Sequence, residues 1–262
     1  VDATSFYTPR LSAGLGLVPE TGRLLELWQP GMTPPDLLKA AMDSGAFPSM
    51  SARRLRNVVA EAFAPRFLTE DGGPARFLKA LQGRIAAADF RHLLLVYTCR
   101  ANPVLADFIR DVYWARYAAG LDIVLKDDAH AFISRAVADG RTRARWSDTT
   151  ILRVSQYVLG ACADFGLVGP MRGAGRVILP FRITPIVASF LAHDLHFRGL
   201  GDNSVVQHPD WMLFGLYPED TLGEMKRLAM KGQFILQSAG GMAHIAWKLK
   251  SMEELPDVLA AG

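Results

Sequence analysis

Cysteine is scarce in this 262-residue chain: there are two, Cys99 and Cys162, each set in an apolar helical pattern. That excludes a disulfide framework and a cysteine zinc site, and a reducing cytoplasm is the expected compartment. Long apolar runs are lacking as well. The longest stretch free of Asp, Glu, Lys and Arg is the sixteen residues Gly232 to Trp247, which a Gly240-Gly241 pair interrupts. It is too short for a membrane span, no signal peptide opens the sequence, and no membrane partner is expected. Nor is there a G-x-S-x-G, an H-E-x-x-H, a Walker loop or a tight acidic cluster. The Gly173-Ala174-Gly175 run lacks the third glycine and following helix of a dinucleotide motif. His92, His130, His193, His196, His208 and His244 do not stand at ligand spacing with acids or cysteines. His193 and His196 are three apart on a helix, but core or surface histidines are the simpler account. No catalytic residue, metal or cofactor is therefore expected.

What is present is arginine, unevenly spread. The formal charge of the whole chain is +3. Between Arg135 and Arg182 there are eight arginines, no lysine and three aspartates (Asp139, Asp148, Asp164), a local net of +5. A planar guanidinium grips phosphate with two bonds or pairs with guanine edges, which points this region towards a polyanion.

A second arginine group lies in Ser49 to Phe67. Leu55, Val58, Val59, Ala62 and Phe63 follow the spacing of one buried helical face, with Ser49 or Ser51 as N-cap and Pro65 as the expected stop. Arg53 and Asn57 project opposite that face, with Arg54 and Arg56 on its flanks. Three cations in the first turns of a helix oppose its dipole, a conflict that a bound phosphate resolves; a solvated basic face is the alternative. Upstream, Thr33, Pro34 and Asp36 open a shorter helix that Gly45 ends, so the two helices form a helix-turn-helix-like pair.

Further helices are expected from about Pro19, over 75–81, from Pro103 to Gly120, over 126–139, from Ser147 or Asp148 to Gly166, from Pro185 to about His196, and from Pro218. The stretch after Asp89 reads as helix or strand. The arginine run Arg141, Arg143, Arg145 ends at Trp146, which either stacks on a base or anchors the core. In the helix after it, Arg153 and Gln156 point away from the buried stripe. A Gly-rich turn carrying Arg172 and Arg176 follows, so this region has the helix-then-basic-hairpin order of a winged helix. The order recurs at Pro218 to Trp247, and Ser251 with Glu254 reads as a capping box opening a last helix. The expected fold is mainly α, a helical bundle with helix-turn-helix or winged-helix-like units and short β-hairpins. Three segments are expected: 1–120, 121–200 and 201–262.

Several stretches resemble the BrxA family of BREX bacteriophage-defence systems: Phe6-Tyr7-Thr8, Leu15-Gly16-Leu17, PETGR at 19–23, SARR at 51–54, YVLGACADFGLVG at 157–169, HPDW at 208–211 and QSAGGMAHIAW at 237–247. The resemblance implies a small cytoplasmic helical protein, similar in part to the antitermination factor NusB, that binds DNA and is not an enzyme. It brings no motif of binding residues with it. The site residues expected from charge alone are Arg53, Arg54, Arg56, Asn57, Arg141, Arg143, Arg145, Arg153, Gln156, Arg172 and Arg176. The arginines would meet backbone phosphates, while Arg53, Asn57 and Gln156 are the side chains suited to base edges. The expected partner is double-stranded DNA. Other BREX subunits held by an adaptor surface, and RNA through the NusB-like resemblance, are the alternatives.

Overall fold

The computed structural model of the protein describes residues 6–9, 11, 15–179 and 181–261. It is mainly helical with two small antiparallel sheets among the described residues, in agreement with the expected class. Packing joins the chain into two units, Val1–Lys79 with Leu94–Phe181, and Ala80–Leu93 with Arg182–Gly262. These cut the chain elsewhere than the three expected segments. Turn residues mark where the chain bends, whereas a unit is defined by which apolar faces bury one another.

In the first unit, α1 (Val18–Leu27) buries Leu24 and Leu25. α2 (Pro34–Asp43) opens on the capping box its spacing foretold: Thr33 Oγ1 accepts from the Asp36 N–H, and Asp36 Oδ2 accepts from the Thr33 N–H at 3.0 Å. α3 (Ala52–Asn57) is capped by Ser51 and leads into a π-helical segment, Val58–Phe63, and α4 (Ala64–Phe67). Pro65 does not stop this helix. The Ala64 N–H bonds the Val59 carbonyl five residues back, so the ladder is already widened where the proline ring enters and its missing N–H disrupts nothing further. A second π segment, Ile109–Tyr113, lies between α7 (Pro103–Phe108) and α8 (Trp114–Ala118). α5 (Gly73–Leu81) and α6 (Ala87–Ala101) intervene, and α6 settles the stretch after Asp89 as helix.

The rest of the first unit is β1 (Ile123–Leu125), α9 (Lys126–Ala138), α10 (Asp148–Asp164), β2 (Val168–Arg172) and β3 (Gly175–Ile178). The expected hairpin is thus one part of a three-stranded sheet of order β1-β3-β2. β1 is three residues long, too short for alternation to reveal it. Leu125 pairs with Gly175, where an added Cβ would lie 2.4 Å from the Val124 carbonyl oxygen, so only glycine admits the neighbouring backbone. α10 buries Ile151, Val154, Val158, Ala161 and Cys162 and packs against α9, α7 and β2.

In the second unit α11 (Pro185–Phe197) is buried at every residue from Val187 to Leu195, the polar Ser189, His193 and Asp194 included. The expected breaker after it contains a short helix, α12 (Asp202–Val206). Asp202 accepts from the Ile245 N–H at 2.8 Å and from Trp247 Nε1 at 3.2 Å, and Asn203 accepts from the Ala243 N–H at 2.8 Å. These bonds hold the hairpin of β4 (Phe234–Ala239) and β5 (Met242–Trp247), which turns at Gly240-Gly241 after α13 (Pro218–Met230). α14 begins at Leu255, and the Glu254 carboxylate accepts from the Lys250 N–H at 3.2 Å, one residue before the Ser251 position a capping box needs.

Candidate nucleic-acid interface

The sheet and the two helices on it present α10 with one face free. Ser147 Oγ accepts from the Thr150 N–H at 3.3 Å and starts the helix. Its buried stripe leaves Thr149, Leu152, Arg153 and Gln156 exposed at i, i+3, i+4 and i+7. Arg153 and Gln156 were expected there. Thr149 and Leu152 were missed, although the same helical spacing places them beside Arg153, and Leu152 is 50% exposed.

The loop before α10 separates its arginines by role. Arg141 is half-buried: its Nη2 donates to Asp107 Oδ2 at 2.8 Å and its guanidinium stands 4.4 Å from the centre of the Tyr7 ring. The Tyr7 hydroxyl donates to the same Asp107 oxygen at 2.6 Å, and the Tyr7 N–H bonds the Arg141 carbonyl at 2.8 Å. Arg141 therefore secures Tyr7 to the loop, a role that the linear charge run did not disclose. Arg143 and Arg145 remain exposed, Arg143 with its guanidinium 5.9 Å from the Phe6 ring centre. Trp146 is partly buried.

The hairpin turns at Gly173-Ala174, so Arg172 ends β2 and Arg176 lies inside β3 instead of on the turn. Arg172 is exposed and paired with Asp122, which lowers the charge it can offer. Arg176 is half-buried and donates to the Gly169 carbonyl at 3.0 Å, across a strand pair distorted by a register shift.

On α3, Arg53, Arg54, Arg56 and Asn57 are all exposed and Leu55 is buried, as the helical pattern required. This group packs through α2 and the first π segment, whereas Arg143, Arg145 and Arg153 belong to the α9–α10 arrangement. Among the described residues, Arg53, Arg54, Arg56, Arg143, Arg145 and Arg153 form no ion pair.

The titratable groups elsewhere are shaped by burial. It holds the Cys162 thiol well above its usual range and raises the Asp164 carboxyl, which accepts from the Gly16 N–H at 2.9 Å. His92 is drawn down to about 4, first by burial and then by Arg91. His193 is also lowered by burial; its Nδ1 lies 2.9 Å from the Ser189 carbonyl, and its ring packs on Trp247. His196 stacks on the same tryptophan, 4.2 Å between ring centres. Among the described residues, no three His, Cys, Asp or Glu side chains are placed to hold a metal ion.

The model of the BrxA family matches residues 5–194. The HPDW and QSAGGMAHIAW stretches lie beyond that match. No curated relative matches the chain. Among solved structures, that of an uncharacterized protein from Magnetospirillum magneticum is similar, with a TM-score of 0.54 and 17% identity over 72% of this chain and 94% of that one. At that identity the likeness is one of fold.

Proposed function

The chain belongs to the BrxA family of BREX phage-defence systems, and from that premise we propose that it is a DNA-binding accessory subunit without catalysis of its own. The observation that carries the proposal is that Arg53, Arg54, Arg56, Arg143, Arg145 and Arg153 are all exposed in the first unit and have no ionic partner among the described residues. Exposed guanidinium groups left free of carboxylates are available to displace counterions from a phosphate backbone.

The element order β1, α9, α10, β2, β3 with sheet order β1-β3-β2 supports a winged-helix reading, in which α10 is the helix offered to the major groove. Arg143 and Arg145 then meet phosphates at the start of that helix. Arg153 meets a phosphate beside them, Gln156 and Thr149 face the base edges, and the Leu152 side chain suits a thymine methyl. Arg53, Arg54 and Arg56 supply a second phosphate-binding group, with Asn57 beside them. Arg141 and Arg176 serve the fold, and Arg172 contributes little while Asp122 neutralises it.

A second role belongs to the second unit. Glu219 and Asp220 stand exposed at the start of α13, and Ile235 and Met242 are 59% and 68% exposed on the outer face of the hairpin. Exposed apolar side chains on a hairpin fit a protein partner, so this unit is the place for an adaptor contact with other BREX subunits.

The direct test is binding of a labelled random-sequence duplex between about 50 and 200 mM salt. Steep salt dependence is expected. Absence of binding at the low-salt end would remove DNA and leave the adaptor role, and a single-stranded RNA that out-competes the duplex would move the polyanion from DNA to RNA.

A further inference from the structure

Among the described residues, Arg66 carries a buried charge that no ion pair offsets. It follows Pro65 on α4, is 3% exposed, and its Nη1 is buried without a hydrogen-bond partner. No ion pair reaches it among the described residues. Burial brings its pKa down only to about 10, so the guanidinium is charged at neutral pH. A buried cation lacking both a carboxylate and hydrogen bonds is strongly destabilising, and a fold that retains one gains when an anion fills the gap.

A cavity of about 90 Å³ adjoins it, lined by Arg66, Thr8, Asn102, Glu61, Pro65 and Phe6 among others. One water needs about 10–15 Å³ by the same measure, so the space admits a small polyatomic ion. It is far below the roughly 300 Å³ at which pockets for nucleotides and drug-sized ligands begin. Asn102 Nδ2 donates one hydrogen to the Thr98 carbonyl at 2.9 Å and has a second to give. The Thr8 hydroxyl is a further donor.

We propose that this cavity is a binding site for a small, singly charged oxyanion, a simple carboxylate or dihydrogen phosphate, held by Arg66 with Thr8 and Asn102 as additional donors. The Glu61 carboxylate on the same lining opposes a second negative charge and so favours the monoanion. The site is independent of DNA binding, for which the cavity is too small.

Equilibrium dialysis of the full chain against labelled acetate and labelled phosphate, at constant ionic strength, tests this. The expected result is saturable uptake of about one anion per chain for at least one of the two, with a matching saturable rise in melting temperature. The ion taken up identifies the carboxylate or the phosphate form. Arg66→Met keeps the side-chain volume and removes the charge. It should melt above the wild type in the absence of either anion and lose the uptake at least tenfold. Arg66→Gln reads the same loss if methionine is not tolerated. The variant carrying Arg53→Ala, Arg54→Ala and Arg56→Ala should keep it. Wild-type protein that takes up neither anion saturably, or equal uptake by the wild type and either Arg66 variant, would overturn the proposal.

Discussion

Replacing Arg143, Arg145 and Arg153 together by alanine isolates the α10 surface from the rest of the molecule. The three side chains are exposed and take part in no ion pair among the described residues, so their loss should leave stability within about 0.5 kcal/mol of wild type. Each phosphate contact contributes about 0.9 to the slope of log affinity against log salt concentration. Three lost contacts flatten the slope by about 2.7. A rise from about 50 to 200 mM salt weakens binding about 3.5-fold per contact, so the variant should lose about 40-fold less affinity over that range than the wild type. Fluorescence anisotropy of a labelled duplex at four or more salt concentrations, with a melting curve on each protein, provides both quantities. A slope within about 0.9 of wild type would mean that at most one of these arginines meets a phosphate, and the α10 surface would be withdrawn.

Three further outcomes bear on the architecture. Gly175→Ala pushes a methyl into the Val124 carbonyl and should destabilise the first unit by about 1–3 kcal/mol in denaturant unfolding; a neutral result would contradict the β1–β3 pairing. Thr33→Ala removes half of the capping box of α2 and should cost about 1 kcal/mol by the same measurement, with no change in DNA affinity. His92 is held at about 4 against an ordinary value of 6.5, so the unfolded chain binds more protons than the folded one between those values. Stability should therefore fall as pH drops from about 6.5 towards 4, by up to about 3 kcal/mol from this residue, and His92→Gln should flatten the profile. An unchanged profile in that variant would show that His92 is not the group responsible.

Helices were legible in the sequence wherever an apolar stripe and a terminal signal coincided. Thr33 with Asp36, Ser51 and Ser147 all begin helices where local chemistry places them. β1 was not legible, because three residues display no period and its existence depends on Gly175, some fifty positions later in the chain. Pro65 misled for a related reason: its local rule is sound, but a change of hydrogen-bond register upstream removes the conflict. At the candidate interface the spacing identified Arg53, Arg54, Arg56, Arg153 and Gln156 as outward-facing. It could not separate Arg141 from Arg143, two residues apart in one loop. What distinguishes them is Asp107 and Tyr7, both remote in sequence.

The π segment at Val58–Phe63 also takes up slack in the chain. A π segment contains one residue more than the α-helical turn it replaces, so the helix on either side of it keeps its facing. Leu55 before it and Phe67 after it are accordingly both buried. Deletion of Ala60 would restore the ordinary ladder and leave Arg53, Arg54 and Arg56 pointing outward as before. The same loss from within a regular α-helix would turn everything on its N-terminal side by about 100° and carry a buried face out to solvent. The charged face of α3 is thus buffered against a one-residue change in length just downstream of it.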